Sequence, residues 1–296
     1  MNPPRITHPQ RVALAGIVGL LLAASAVLPA WSASAPYLFI QLSDPQFGMF
    51  TADREFTQET INFERAVAHV NRLRPEFVVI TGDLVNKPGD RAQMDEYDRI
   101  KGLIDRSIAV HAMPGNHDVD NAPTPERLAA YRARYGRDRY TFHHKNVLGL
   151  VLNSSLIHTP AKAPDEAAAQ EAWLRGQLAA PRPDGVRHTL VFQHHPWFLA
   201  RAGEPDDYFN IPLARRVPLL ALLRASGVRM LVSGHYHRNA IANDDGFEAI
   251  VTGAVGMPLG GSRSGLRVFR VTDTTVTHRF YALDAVPDAI DPRGAL

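Results

Sequence analysis

The chain has 296 residues, with 32 Lys plus Arg against 30 Asp plus Glu and no cysteine. A net charge of +2 excludes the concentrated basic field of a dedicated nucleic-acid binder. The absence of cysteine excludes disulfides, thiolate zinc sites, iron–sulfur clusters and a cysteine nucleophile, while a hydrophobic fraction of 45% is that of a chain able to bury a core.

The N-terminus carries Arg5 and Arg11, then an uncharged, mostly apolar run from Val12 to Leu28, then the small residues Ser32 to Ala35. This is the layout of a secretory signal peptide, so residues 1–35 are expected to be removed and the product to be secreted or periplasmic. The alternative is an uncleaved membrane anchor, since Val12 to Ala30 is just long enough to span a bilayer.

Beyond it, apolar runs that read as buried strands alternate with helical patterns. The strands are expected at Tyr37–Leu42, Phe77–Thr81, Ala109–Met113, Val147–Leu152, Thr189–Phe192 and Met230–Ser233, and the helices at Phe56–Leu73, Gln93–Ile104, Pro125–Tyr135, Asp165–Leu178 and Pro212–Ala225. Phe63, Ala66, Val67 and Val70 fall on one face of the first helix. The run containing His143 and His144 reads as an edge strand. Near the end, Phe247–Val251, Leu266–Val271 and Thr275–Tyr281 are strand-like with no helix between them, as in hairpins or a meander closing a second sheet. The pattern is α/β, with two packed sheets and helices outside. Residues 36–284 form one domain, the stretch Arg201–Asn210 is a loop within it, and residues 285–296, with Pro287, Pro292 and Gly294, read as a loose tail.

Polar groups recur just after the apolar strands: Asp44 and Gln46 after the first, Asp83 and Asn86 after the second, Asn116, His117 and Asp118 after the third, then His194-His195-Pro196 and His235-Tyr236-His237. Parallel α/β sheets build their sites at the carboxyl ends of strands. Five strand ends therefore deliver oxygen and imidazole groups to one edge, a donor set suited to Mn, Fe, Zn, Ni or Mg and large enough for two ions sharing a carboxylate. Each motif alone has a plainer reading, because Asp favours helix caps and turns and Gly-Asn is turn chemistry. In this order, each after a strand, the set points to chemistry. The isolated histidines, His69, His111, His158, His188 and His278, read as structural.

The ordered set D-x-Q, GDLVN, GNHD, H-H-P and GHYH, from Asp44 to His237, resembles the calcineurin-like metallophosphoesterases. SDPQFG, the Asp206–Asn210 loop and GHYHRN are most similar to the complete S-transactivated protein 1-like branch. The resemblance implies a four-layer α/β/β/α sandwich and a phosphoric ester hydrolase, a phosphatase acting on monoesters, that uses two metal ions and a metal-activated hydroxide. The alternatives are a phosphodiesterase acting on cyclic nucleotides or glycerophosphodiesters, and a non-catalytic metal-binding interaction protein. Carried over by motif, Asp44, Gln46, Asp83 and His237 hold one ion, and Asp83, Asn116, His194 and His235 the other, while His117 faces the leaving-group oxygen. Gln46 replaces the family's usual His, and its harder oxygen favours Mn or Fe over Zn. Asn86 stands where the protein phosphatases carry the Asp that orients the catalytic His, and is expected to orient His117 as a weaker partner. Phe47, Tyr208, Phe209 and Tyr236 are candidates to line a substrate pocket. Glu204, Asp206 and Asp207 are candidates for an acidic rim, and Asn153 and Asp118 for support of the site.

Overall fold

The computed structural model describes residues 1–2 and 35–296. The signal or anchor segment read in residues 1–35 lies outside the described residues apart from its two ends. In chain order the strands are β1 (Tyr37–Leu42), β2 (Phe77–Thr81), β3 (Ala109–Met113), β4 (Tyr140–His144), β5 (Val147–Val151), β6 (His188–Phe192), β7 (Met230–Ser233), β8 (Ala240–Asp244), β9 (Phe247–Val251), β10 (Gly265–Val271) and β11 (Val276–Ala282). The helices are α1 (Thr57–Leu73), α2 (Arg91–Lys101), α3 (Asn116–Val119), α4 (Pro125–Tyr135), α5 (Ser154–His158), α6 (Pro164–Ala179) and α7 (Leu213–Ala225).

The strands form two mixed sheets, ordered β11-β10-β1-β2-β3 and β4-β5-β6-β7-β9-β8. β1, β2 and β3 are parallel, as are β5, β6, β7 and β9; the remaining pairings are antiparallel. Alternation along each inner strand feeds two cores at once. From β1, Leu38, Ile40 and Leu42 pack under α1, α2 and α4, against Phe63, Val67, Tyr97, Ile100 and Leu128. Tyr37 and Phe39 point the other way, into the space between the sheets, with Phe77, Phe142, Phe192 and Phe269. Leu150, Val191 and Leu231 pack under α6 and α7, against Leu174, Leu219 and Leu223. Three apolar layers thus separate four layers of structure, the α/β/β/α sandwich.

Three expectations are corrected. The late strand-like runs do not form one meander: β9 pairs with β7 in the second sheet, whereas the β10–β11 hairpin lies on β1 in the first. Both β9 and β10 are buried along nearly their whole length, and each takes an inner position, one in each sheet. The sequence reading also missed β8, an antiparallel edge strand whose Ile241 faces solvent. Residues 285–296 contain no helix or strand but are not loose. Val286, Ile290 and Leu296 pack on the core under α1, and Arg72 bonds the Val286 and Pro287 carbonyls and pairs with Asp288. A smaller shift is that α2 begins at Arg91, because the Asp90 side chain accepts the Gln93 N–H and caps it there.

Candidate metal centre

The parallel strands β1, β2, β3, β6 and β7 all end at one edge, and the turns leaving them carry the polar motifs. The backbone there is unusual. Asp44, Gln46, Asp83, His235 and His237 all have positive φ, at 51°, 39°, 48°, 65° and 55°. Such conformations are sparsely populated by residues other than glycine, and they persist only where the surroundings over-determine them. Main-chain hydrogen bonds between the turns do so: Asp44 N to Gly82 O at 3.2 Å, Gln46 N to Asp83 O at 2.9 Å, Gly256 N to Asp44 O at 3.0 Å and Gly234 N to His194 O at 2.9 Å. Gly115 and Gly234 permit the close approach, because a Cβ on the first would overlap Asp83 and on the second Ser43.

Seven side chains converge at this edge. Ligand atoms of Asp83, His194 and His235 lie within 4.8 Å of one another, and so do those of Asp44, Asp83 and His237. Asp83 belongs to both groups. Each histidine gives one ring N–H to a main-chain carbonyl: His194 Nδ1 to Thr81 O at 2.9 Å, His235 Nε2 to Tyr208 O at 3.2 Å, and His237 Nδ1 to Met257 O at 2.5 Å. A carbonyl only accepts, so the other ring nitrogen of each neutral histidine presents a lone pair. His194 Nε2 then lies 3.0 Å from both Asn116 Oδ1 and His235 Nδ1 and 3.2 Å from Asp83 Oδ2. His237 Nε2 lies 3.5 Å from Asp44 Oδ1. Lone pairs at such distances repel unless a cation stands among them, and a ring fixed through its other nitrogen is the usual form of a histidine ligand. Gln46 fits the same reading. Its Nε2 donates to Asn86 Oδ1 at 3.1 Å, which leaves its buried Oε1 with no partner.

Electrostatics point the same way. Burial pushes the Asp44 carboxyl up, against the pull of His237 and His194. At Asp83 burial is outweighed by His194, His117 and His235, which hold its carboxyl below the ordinary range. Burial would lower His194, but Asp83 and Asp44 raise it to about 9, so a proton is held at Nε2 against Asp83, in the place that a bound cation would take. Burial and the neighbouring His194 keep His235 neutral. The cluster therefore concentrates negative potential where the lone pairs meet.

His117 stands at the start of α3, and its main-chain N–H donates to Asp83 Oδ1 at 2.8 Å. Its ring is oriented by Asn86, but by the wrong part of Asn86 for the sequence reading: Nδ1 lies 2.7 Å from the Asn86 main-chain carbonyl. The Asn86 side chain is engaged elsewhere, accepting from Gln46 and donating from Nδ2 to Asp53 at 2.8 Å. Asp118 accepts the N–H groups of Leu84, Val85 and Gly115, tying the turn after β2 to the turn after β3.

The other candidates divide. Tyr208 and Phe209 reach the site: Tyr208 OH lies 3.5 Å from Asn116 Nδ2, both rings pack on His235, and Tyr236 meets Phe209 edge to face. Phe47 does not, being fully buried against Phe56 and Phe63 under α1. The acidic candidates act on their own loop. Glu204 turns inward to accept the Leu199, Ala200 and Arg201 N–H groups, and Asp206 and Asp207 cap Leu213 N and Phe209 N, so these carboxylates pin the loop that presents Tyr208. Asn153 bonds Asp138 and Gln170, away from the ligands, whereas its neighbour Ser154 holds His195, whose ring packs on His235. Sequence reading missed Ser43, which donates to Asp44 Oδ2, although its place beside the first motif was a signal; Met257 acts through its carbonyl, which leaves no mark in a sequence.

Comparisons with known proteins agree with this geometry. Residues 37–239 match the family model described as calcineurin-like phosphoesterase. A Bos taurus protein named serine/threonine-protein phosphatase CPPED1 is 37% identical over 268 residues, covering 86% of each chain. A probable cyclic nucleotide phosphodiesterase of Rhodococcus erythropolis is 28% identical over 72% of this chain and 71% of its own. Among solved structures, purple acid phosphatase PPD1 from yellow lupin superposes with a TM-score of 0.65 at 13% identity, over 85% of this chain and 52% of that one, a likeness of fold.

Proposed function

The chain belongs to the calcineurin-like phosphoesterase family, metal-dependent hydrolases of phosphoric esters, and on that premise we propose that it is a dinuclear phosphomonoesterase acting on phosphorylated serine and threonine side chains. The observation that carries the reading is the pair of ligand groups sharing Asp83. Asp44, Gln46, Asp83 and His237 would hold one ion and Asp83, Asn116, His194 and His235 the other. The oxygen of Gln46 in the first set favours Mn or Fe over Zn. Bound there, the ions would supply Lewis-acid charge and a water of lowered pKa.

The chain's own groups do the rest. With Nδ1 donating to Asn86 O, His117 presents Nε2 to the substrate, where the protonated ring gives its proton to the leaving serine or threonine oxygen as the P–O bond breaks. The Tyr208 hydroxyl beside Asn116 offers a further donor to the phosphoryl group. The Asp206–Asn210 loop, stiffened by its own carboxylates, holds that aromatic wall in place.

The monoester preference is supported by the relative named as a serine/threonine-protein phosphatase, more similar and covering more of the chain than the one named as a cyclic nucleotide phosphodiesterase. The latter similarity keeps a diesterase as the second reading. The layout of residues 1–35 supports export, to the periplasm or the medium, and N-terminal sequencing of the mature protein tests it. The functional test is turnover of a phosphoserine peptide, a 3′,5′-cyclic nucleotide and bis-para-nitrophenyl phosphate by the manganese-loaded protein. Preference for the peptide supports the proposal; preference for either diester replaces it with the second reading.

A further inference from the structure

Away from the ligands, an uninterrupted chain of buried hydrogen bonds crosses the space between the two sheets. Arg267, on the inward face of β10 and 2% exposed, donates from Nε to Thr252 Oγ1 at 2.7 Å. Thr252 donates to Gln41 Oε1 at 2.6 Å, and Gln41 Nε2 donates to Thr81 Oγ1 at 2.9 Å. Thr81 donates to Ser43 Oγ at 2.7 Å, and Ser43 donates to Asp44 Oδ2. Gln41, Ser43, Thr81 and Thr252 are wholly buried.

The direction of this chain is fixed by its ends. A guanidinium has only donors and an ionised carboxylate only acceptors, so every hydroxyl between them accepts from one side and donates to the other. Charge at both ends polarises the links in one sense, and in a low dielectric such links strengthen one another. The guanidinium has a second arm. Arg267 Nη2 donates to Asn239 Oδ1 at 2.7 Å, two residues beyond His237. Its Nη1 donates to His278 Nδ1 at 2.9 Å, which leaves His278 Nε2–H to face Glu248 at 3.1 Å. Burial pulls Arg267 down to about 10, so it keeps its charge at neutral pH. No carboxylate touches it directly among the described residues, which is costly for a buried cation unless the charge is used.

We infer that Arg267 is a positioning residue that fixes Asp44, through Thr252, Gln41, Thr81 and Ser43, and the turn of His237, through Asn239, and so sets the affinity of one of the two metal positions. The inference rests on the dinuclear reading above. Its two arms end on Asp44 and beside His237, both in one ligand set; the other set meets the chain only where Thr81 O accepts from His194 Nδ1 and Asp44 accepts the His235 main-chain N–H, contacts in which Thr252 takes no part. Outer partners of metal ligands typically change affinity by about 10–100-fold when removed.

The test is calorimetric titration of the metal-stripped full-length protein with Mn²⁺. Wild type is expected to show two binding events. Thr252→Val, which keeps the volume and removes the link, is expected to weaken one event by about tenfold or more, the event that His237→Ala abolishes, and to leave the other within about twofold. Thr252→Ser, which keeps the hydroxyl, is expected to restore both. A structural role alone would lower the melting temperature of Thr252→Val and leave both affinities of the folded protein at wild-type values, which would overturn the inference. Equal weakening of both events would overturn it too. If Thr252→Val does not fold, Ser43→Ala breaks the chain at its other end and is judged by the same outcomes. Wild type that binds fewer than two ions would bring down the dinuclear reading itself, and this inference with it.

Discussion

One oxygen of Asp83 accepts the main-chain N–H of His117 at 2.8 Å, while the other lies 3.2 Å from His194 Nε2. The carboxylate common to both ligand groups therefore also sets the start of the helix that carries the candidate acid. The Asp83 carboxylate and the Asn86 carbonyl together fix the turn and the ring of His117 relative to the shared ligand. Pre-set geometry of this type is what proton transfer to a leaving group needs.

His117→Asn removes the proton donor and leaves the turn intact. For an alkyl phosphate such as a phosphoserine peptide, kcat should fall by about 10²–10⁴-fold. For para-nitrophenyl phosphate, whose leaving group needs no protonation, the loss should be much smaller. Steady-state rates on the two substrates check this. An equal loss on both would remove His117 from the acid role.

The side chain of Asn86 bonds Gln46 and Asp53, and only its carbonyl meets His117. Asn86→Ala should therefore leave the pH–rate profile in place, because the carbonyl remains. It should weaken manganese binding by about tenfold, because Gln46 loses the partner that turns its oxygen inward. A shift of the profile by a full unit would show that the side chain tunes His117 after all.

Gln46→His replaces the unpartnered Oε1 with an imidazole nitrogen. The softer donor should raise the affinity for Zn²⁺ relative to Mn²⁺ by about tenfold or more. Competition between the two ions for the stripped wild type and variant measures the ratio. An unchanged ratio would mean that Gln46 does not touch a metal.

His111 lies face to face on Phe142, with ring centroids 3.7 Å apart, and burial, assisted by His144, lowers it to about 4. An unfolded histidine titrates near 6.5. The folded value is depressed, so the contribution to stability is complete above about 6.5 and is lost as pH falls through about 4. Allowing for screening at this partly exposed site, the loss is about 1–2 kcal/mol. His111→Phe should flatten that part of the stability profile, as read by urea unfolding near pH 7 and near pH 4.5. Parallel profiles for wild type and variant would refute the assignment.

The inner strands and outer helices were legible because each carries an unbroken apolar run or a clean helical stripe, as in Phe77–Thr81 and in Phe63, Val67 and Val70. The partner of a strand was not legible: β9 and β10 have similar composition, and only the layering of the whole chain sends one to each sheet. Asp44, Gln46, Asp83, Asn116, His194, His235 and His237 could be named because motif glycines and strand ends fix their places. Contacts made by main-chain carbonyls, such as Asn86 O on His117 and Met257 O on His237, leave no trace in side-chain identity. The inward turn of Glu204 was hidden for a related reason, since its partners are N–H groups that every residue of the loop carries. His278, read as structural when taken alone, acquires its place beside Arg267 only through the pairing of β10 with β11.

The most direct measurement is the count of metal ions per folded chain during reconstitution, followed together with hydrolysis of para-nitrophenyl phosphate, in wild type and Asp83→Asn. Two ions per wild-type chain, turnover that requires them, and loss of both tight binding and turnover in Asp83→Asn are the results expected of one carboxylate shared by two metals. Full turnover after metal removal, or an Asp83→Asn protein that binds two ions and hydrolyses the ester at the wild-type rate, would contradict the account.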